Sequence, residues 1–166
     1  MPETAPAVKQ AAIRALGAEL VLCDASERFA VAARLCAERG ATMVPPFNDE
    51  LVMAGQGTVG LEIMAQFPEI DAVVVPVSGG GLIGGVSTAV KALAPRVRVF
   101  GAEPAALPRY TASLRAGHPV QVEQKRSIAD ALVAQTPGDV CFPYVAAHTD
   151  GFADVADADI LRGMKL

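Results

Sequence analysis

Apolar runs alternate along the chain with amphipathic segments that have helical spacing. Residues 72–77, AVVVPV, are continuously apolar, which is typical of a strand that is covered on both faces. Residues 96–103, RVRVFGAE, alternate between polar and apolar positions and predict the next strand. We expect these two strands to be adjacent and parallel. Because strands alternate with helices throughout, the pattern predicts an α/β fold with a mostly parallel sheet.

The same pattern predicts the other elements. Residues 49–67 are helical in pattern, but Gly55 and Gly57 interrupt them, so we expect two helical pieces with a kink. Residues 117–140 are expected to be mostly loop. Further helices are expected at residues 5–16, at 27–39, from a glycine-rich loop to residue 94, on the surface at 109–117 and from residue 158, with short strands at 19–23, 41–44 and 152–155.

The composition is that of a core-rich soluble protein, large enough for one domain or for parts of two. Hydrophobic residues make up 52% of its 166 residues and charged residues 19%. The net charge of −4 offers no basic surface for nucleic acid or an anionic membrane, so we expect small-molecule partners. Three widely spaced cysteines without a CxxC pair argue against a zinc site. With no long apolar run and no secretory signal, the protein is expected to be cytoplasmic.

A glycine-rich segment, SGGGLIGG at residues 78–85, follows the apolar run. Consecutive glycines allow successive N–H groups to converge on one anion, and the helix that follows adds the positive end of its dipole. The hydroxyl of Ser78 can donate one further hydrogen bond. The segment therefore predicts a phosphate-binding loop. It is not a Walker loop, because Gly84, Gly85 and Val86 stand where Gly-Lys-Ser/Thr is required.

Two other interpretations of this loop stay open from the residues alone. Gly79, Gly81 and Gly84 have the GxGxxG spacing of dinucleotide-binding proteins, and Glu103 ends the next strand about 20 residues later. That spacing would indicate an NAD(P)-dependent oxidoreductase, although such a fingerprint usually opens its domain and here it follows two earlier α/β units. Alternatively, the glycines only allow a helix to pack tightly on a strand, with no ligand.

Segments spread over the whole chain favour a different cofactor. PPFNDELVMAGQGTVGLEI, DAVVVPVSGGGLIGGVSTAVKAL, VRVFGAEP, SIADAL and VADADILRGM occur in an order and at spacings that resemble the serine/threonine dehydratases and serine racemases. These are pyridoxal-phosphate (PLP) enzymes with a parallel-sheet, tryptophan-synthase-β-like α/β fold. The resemblance implies that fold, a PLP cofactor, and an ammonia-lyase that converts a hydroxy amino acid to a 2-oxo acid and ammonia. A racemase of the same family and a non-catalytic remnant or subunit are the alternatives.

The resemblance also implies site residues. In that family the matching loop binds the cofactor phosphate through backbone N–H groups, which implies cofactor-binding residues Ser78, Gly79, Gly80, Gly81 and Leu82. It places Phe47 and Asn48 near the cofactor ring, and Asp130 and Ala131 near the substrate.

Glu103 carries a further implication of the resemblance. In family members that bind a divalent cation, the matching glutamate acts with an acidic residue six positions later, where this chain has Arg109. An arginine repels a cation, so we expect no metal here and a structural, hydrogen-bonded role for the Glu103 carboxylate.

By the resemblance, the chain is only the central part of such an enzyme. The family attaches its cofactor to a lysine in an S-x-K-x-R-G setting, which none of this chain's lysines has: Lys9, Lys91, Lys125 and Lys165. The family's S-S-G-N and S-G-G-N segments are also missing. We therefore expect residues 1–47 to be part of the small domain and residues 48–166 part of the large domain. We expect no catalytic residue in this chain and no activity of the chain by itself, and we expect it to associate into a homo-oligomer or with a completing N-terminal segment.

Overall fold

The structure is a computed structural model that describes residues 1–165. These residues belong to two units, Met1–Val44 and Pro45–Leu166, and each unit is described by itself. The second unit contains the sheet, the glycine-rich loop and most of the helices. No helix in residues 1–165 is long and apolar enough to cross a lipid bilayer.

The first unit consists of two helices, α1 (Ala7–Ala15) and α2 (Arg28–Arg39). Each is followed by a glycine with left-handed backbone angles, Gly17 with φ of 81° and Gly40 with φ of 61°. Glycine adopts this conformation without steric cost, which is why both helices end where the sequence predicted.

The two strands predicted for the first unit are not present among its described residues. Residues 21–23 form hydrogen bonds with residues 1–3, but the pairing amounts to a single parallel bridge between Pro2 and Cys23. Proline has no N–H with which to extend a ladder. Residues 41–44 also form no strand. Both predictions are wrong because a short apolar run does not reveal whether a partner strand lies beside it.

The second unit contains a parallel sheet, which in the described chain has the strand order β1 (Ala72–Pro76), β2 (Arg98–Pro104) and β3 (Gly151–Val155). Val75 of β1 lies beside Gly101 of β2 in the register of the first pair. The first two strands are adjacent and parallel, which confirms the prediction, and β3 forms where a strand was expected.

One face of β1 is not covered by the described residues. Val75 is buried, whereas Val74 is 65% exposed and Ala72 and Pro76 are also exposed. The prediction of a strand covered on both faces is therefore wrong for this part of the chain. Valines occupy both faces of β1, so the continuous apolar run alone did not distinguish the covered face from the exposed one.

The described residues of the second unit form five helices: α3 (Glu50–Gln66), α4 (Gly81–Leu93), α5 (Arg109–Ala116), α6 (Cys141–His148) and α7 (Asp157–Gly163). The helix α6 lies where the sequence predicted no element. Its Pro143 is tolerated because it lies in the first turn, where a backbone N–H would have no partner within the helix.

The helix α3 is continuous, so the predicted kink at its glycines is wrong. Two of its glycines are buried against α4: a Cβ on Gly57 would lie 3.3 Å from the Gly85 carbonyl oxygen, and one on Gly60 would lie 2.9 Å from the Val86 carbonyl oxygen. The glycines thus allow the two helices to approach closely. Asp49 begins α3 by accepting a hydrogen bond from the Val52 N–H at 2.9 Å.

The helix α4 lies at the centre of the hydrophobic core, in contact with α3, α6 and the sheet. This core consists of aliphatic side chains from α4, from α6 and from the strands and the residues next to them, together with two aromatic rings: Val75, Val77, Ile83, Val86, Val90, Val97, Val99, Tyr110, Phe142 and Val145. Because α4 begins directly after the glycine-rich loop, this packing fixes the position of the loop.

An ion pair joins the last turns of α4 to the sheet. The Lys91 ammonium lies 2.8 Å from an Asp150 carboxylate oxygen, which also accepts a hydrogen bond from the Val99 N–H at 2.7 Å. The hydrogen bond from Lys91, together with that from Val99, lowers the pKa of Asp150. The pair therefore ties the start of β3 both to α4 and to β2.

The contact between α3 and α4 predicts the effect of adding one methyl group. Gly60→Ala should lower the free energy of unfolding by about 1–3 kcal/mol, because its Cβ would lie 3.0 Å from the Ala89 Cβ and closer still to the Val86 carbonyl. Gly55→Ala is the matched control in the same helix, since nothing lies within 4 Å of its Cβ. It should stabilise the helix by about 0.5–1 kcal/mol. Equal melting temperatures of the two variants by circular dichroism would contradict this account.

The Lys91–Asp150 pair predicts how stability depends on pH. Because the folded state lowers the pKa of Asp150, the pair stabilises the fold fully above the unfolded-state pKa of about 3.9 and loses this effect as the pH falls further. Asp150→Asn should therefore destabilise the protein at pH 7 and flatten the acid limb of its stability curve. Asp71→Asn is the control, because Asp71 is 91% exposed and 4.0 Å from Arg96. A change of equal size in both variants would contradict the prediction.

Candidate functional site

The glycine-rich loop connects the carboxyl end of β1 to the start of α4. The Val77 N–H still donates to the Ala102 carbonyl of β2 at 2.8 Å, so the chain leaves the sheet only at Ser78. Gly80 has a φ of 102° and precedes the first residue of α4, Gly81. Carboxyl ends of parallel strands are where α/β proteins commonly bind ligands.

Several backbone N–H groups of this loop, that of Ser78 included, have no acceptor within the described chain. Gly79, Gly80, Gly81 and Leu82 donate no hydrogen bond to residues 1–165, and the three glycines are buried. Buried N–H groups are rarely left unpaired, because the loss of water around them is costly. Here they stand at the amino-terminal end of a 13-residue helix, where the helix dipole favours negative charge. The arrangement fits an anionic group such as a phosphate.

The surroundings of the three consecutive glycines leave little room for a side chain. A Cβ on Gly79 would overlap the ring of Phe47, and one on Gly80 would overlap the hydroxyl of Tyr110. A Cβ on Gly81 would lie 3.2 Å from the Phe47 Cβ. Larger residues at these positions would therefore displace the groups that surround the loop.

Tyr110 fixes the position of the loop through a hydrogen bond from its hydroxyl. Its hydroxyl donates to the Gly79 carbonyl at 3.1 Å, and that carbonyl also accepts from the Gly138 N–H at 2.9 Å. The Tyr110 ring is fully buried and stacks on Phe152, with 5.3 Å between ring centroids. Burial raises the pKa of Tyr110 far above its usual range, so the hydroxyl keeps its proton and remains a donor at neutral pH.

Ser78 connects the loop to the segment that follows α5. Its hydroxyl oxygen accepts a hydrogen bond from the Ala134 N–H at 3.2 Å. The hydroxyl proton is not used in that bond and remains free to donate to an anion.

Phe47 contacts the glycine-rich loop, whereas the Asn48 side chain binds the backbone at the start of α6. The Phe47 ring fills the space that a Cβ on Gly79, the first glycine of the loop, would occupy. Asn48 has a left-handed φ of 65°, and its side-chain oxygen accepts a hydrogen bond from the Val140 N–H at 2.8 Å, at the start of α6. Asn48 therefore shapes the chain around the loop.

Asp130 and Ala131 lie in the irregular segment beyond α5. Asp130 is exposed, and its N–H donates to the Ile128 carbonyl at 2.9 Å. The segment is fixed at its start by Ser127, whose hydroxyl donates to the Asp157 carboxylate at 2.6 Å, and near its end by the bond from Ala134 to Ser78.

Glu103 is buried and fully engaged in hydrogen bonds with the backbone. One carboxylate oxygen accepts from the Tyr110 N–H at 3.0 Å and the other from the Thr111 N–H at 2.8 Å, and only 1% of the residue is exposed. Burial raises the pKa of Glu103, which these hydrogen bonds and the charge of Arg109 oppose. A carboxylate so placed cannot bind a ribose hydroxyl, which argues against the dinucleotide interpretation.

The first turn of α5 is more important than the sequence indicated. Residues 109–117 were predicted to form a surface helix, yet Arg109, Tyr110 and Ser113 are buried. No local pattern identifies Arg109 and Tyr110, because both contact a loop about 30 residues earlier in the chain. No group of three or more His, Cys, Asp or Glu side chains in residues 1–165 is placed to hold a metal ion.

Comparisons with known proteins agree with this geometry. A family model described as pyridoxal-phosphate dependent enzyme matches residues 1–166. The L-threonine ammonia-lyase of Thermotoga maritima is 43% identical over 162 residues, which cover 96% of this chain and 40% of that protein. The serine racemase of Oryza sativa subsp. indica is 39% identical over 168 residues, which cover 100% of this chain and 49% of that protein.

The structure of maize serine racemase has the same fold over the matched region. The TM-score is 0.94 at 38% identity, over 99% of this chain and 50% of that chain. The tryptophan-synthase-β-like α/β fold predicted from the sequence is thereby confirmed, and so is the resemblance to dehydratases and serine racemases. This chain spans less than half the length of the two sequence relatives, at 40% and 49%. Since the family match extends over all its residues, the chain belongs to the pyridoxal-phosphate dependent enzymes.

Proposed function

We propose that this chain binds the phosphate of PLP at its glycine loop and forms part of an ammonia-lyase that acts on a hydroxy amino acid. The phosphate ligands in this proposal are the N–H groups of residues 79–82 and the hydroxyl of Ser78. The substrate is an amino acid of the serine or threonine class, and the products are a 2-oxo acid and ammonia.

The observation that supports this proposal most directly is the set of unpaired N–H groups at Gly79, Gly80, Gly81 and Leu82. The glycines of the set are buried and precede or begin a 13-residue helix. An anion bound there would satisfy several donors at once and would face the positive end of the helix dipole.

The residues of this chain would hold and shield the cofactor. When bound, PLP supplies the electron sink that allows a bond at the α-carbon of the substrate to break. Tyr110 and Gly138 hold the Gly79 carbonyl away from the phosphate, and Phe47 covers one side of the loop against water. The lysine that attaches PLP in this family is not among the residues assigned to the site.

The relatives support two reactions of the same family. The relative named as an L-threonine ammonia-lyase is 43% identical, and the one named as a serine racemase is 39% identical. We propose the lyase first because of the higher identity, and the racemase as the alternative. We also propose that the protein is cytoplasmic and acts as a homo-oligomer or with a completing N-terminal segment. Support for such association comes from the apolar surface of β1, where Val74 is 65% exposed.

The phosphate site predicts a specific effect of Gly80→Ala. Gly80 has a φ of 102°, and a Cβ there would overlap the Tyr110 hydroxyl, so the loop would have to move. We expect the affinity for PLP and for inorganic phosphate to fall about tenfold or more. The measurement is a titration followed by the backbone amide signals of residues 79–82 in nuclear magnetic resonance spectra. Wild-type protein should show shifts at these amides.

Gly117→Ala is the matched control for Gly80→Ala. Gly117 also has a positive φ, of 76°, but nothing lies within 4 Å of its Cβ, so the variant is strained without any effect on the loop. Its phosphate affinity should equal that of the wild type. Shifts at residues 79–82 with NADH but not with PLP would overturn the proposed cofactor.

The chain by itself should not release 2-oxobutyrate from L-threonine, even with added PLP. The Lys91 ammonium pairs with Asp150 and lies ten residues along α4 from Gly81, about 15 Å at the rise of a helix. We expect activity only after co-expression with a segment that carries an S-x-K-x-R-G lysine. A coupled assay for 2-oxobutyrate and chiral chromatography for D-serine then separate lyase from racemase. Turnover by the pure chain would contradict the expected need for that segment.

A further inference from the structure

Arg109 is the most unusual buried group in the second unit. It is the first residue of α5 and is 0% exposed. A buried cation is costly unless hydrogen bonds satisfy it, so the partners of its guanidinium indicate what the residue is for.

The guanidinium of Arg109 binds two backbone carbonyls. Nη1 donates to the Val77 carbonyl at 3.1 Å, and Nη2 donates to the Leu132 carbonyl at 3.0 Å. Nε has no partner among the described residues. The carboxylate oxygens of nearby Glu103 accept from backbone N–H groups at the start of α5. Through these two hydrogen bonds, Arg109 connects the segment at Val77 with the segment at Leu132.

Both of these segments belong to the candidate phosphate site. Val77 immediately precedes Ser78, and Leu132 lies two residues before Ala134, whose N–H donates to the Ser78 hydroxyl oxygen at 3.2 Å. Arg109 and Ser78 thus make neighbouring connections between the start of the loop and the 132–134 segment. Tyr110, the next residue of α5, holds the Gly79 carbonyl at 3.1 Å.

The geometry of the peptide bond gives these contacts a direction. In a trans peptide the carbonyl and the following N–H point in opposite directions. Because Arg109 binds the Val77 carbonyl, the N–H of Ser78 points away from Arg109. In the same way, Tyr110 binds the Gly79 carbonyl, so the N–H of Gly80 points away from Tyr110. Two consecutive residues of α5 thus orient alternate peptides of the same loop.

We propose that Arg109 is a positioning residue for the anion-binding loop: its guanidinium holds the Val77 and Leu132 carbonyls so that the N–H groups of residues 78–82 converge on a phosphate. This inference rests on the proposed function of the loop. Arg109 acts here through its geometry and not through its charge. The two carbonyls need two donors held in one plane, which a guanidinium provides and an ammonium does not.

The test compares Arg109→Lys with Arg109→Met in the full chain. Lysine keeps the charge but has one nitrogen, whereas methionine removes both charge and donors. We expect both variants to bind inorganic phosphate about tenfold or more weakly than the wild type. The titration follows the amide signals of residues 79–82, at a temperature well below the melting temperature of each variant. Arg115→Lys is the matched control, on the exposed side of the same helix, and should bind as the wild type does.

The outcomes separate this inference from simpler accounts. A lower melting temperature with unchanged phosphate affinity would show that Arg109 only stabilises the fold, and would overturn the inference. Weaker binding by Arg109→Met but not by Arg109→Lys would assign the effect to charge and would also overturn it. If wild-type protein shows no shifts at residues 79–82, the proposed phosphate site itself fails. If the wild type binds phosphate and both variants bind it equally well, the role of Arg109 is refuted and the proposed phosphate site is not.

Discussion

The hydrogen bond from Tyr110 to the Gly79 carbonyl is the constraint on which the site depends. A loop of consecutive glycines has many conformations open to it, and ordering one of them is entropically costly. The buried hydroxyl of Tyr110 and the Gly138 N–H together select the conformation in which this carbonyl points inward. The N–H groups that follow are then left without partners in the chain. The Tyr110 ring stacks on Phe142 and Phe152, and this packing holds its hydroxyl in position.

The helix α4 links this local constraint to the packing of the whole second unit. Its first residues carry the unpaired N–H groups, while Gly84 and Gly85 face α3, where a Cβ on Gly84 would lie 2.6 Å from the Met53 sulfur. Its last turns are tied to the sheet through Lys91. The glycines of residues 78–85 therefore serve two purposes. Those before α4 allow the backbone to approach a ligand, and those within α4 allow close contact between helices.

The sequence predicted those features that depend on local pattern and not those that depend on distant partners. The two adjacent strands, the glycine loop and the helix after it were all predicted, because periodicity and glycine chemistry act over a few residues. The strands at 19–23 and 41–44 were wrong, since pairing needs a neighbour that a short run does not reveal. Arg109 and Tyr110 were missed, because only the folded chain brings α5 beneath the loop.

The anchoring of residues 77 and 79 by residues 109 and 110 restricts the length of the connection between β2 and α5. Glu103 is the second-to-last residue of β2, and its carboxylate oxygens accept hydrogen bonds from the N–H groups of Tyr110 and Thr111. One residue inserted between Glu103 and Arg109 would shift the start of α5 relative to β2 and to the glycine-rich loop. Both side chains would then leave their carbonyls together. Insertions and deletions should therefore be tolerated in the exposed part of the loop after α5 and not in this short connection.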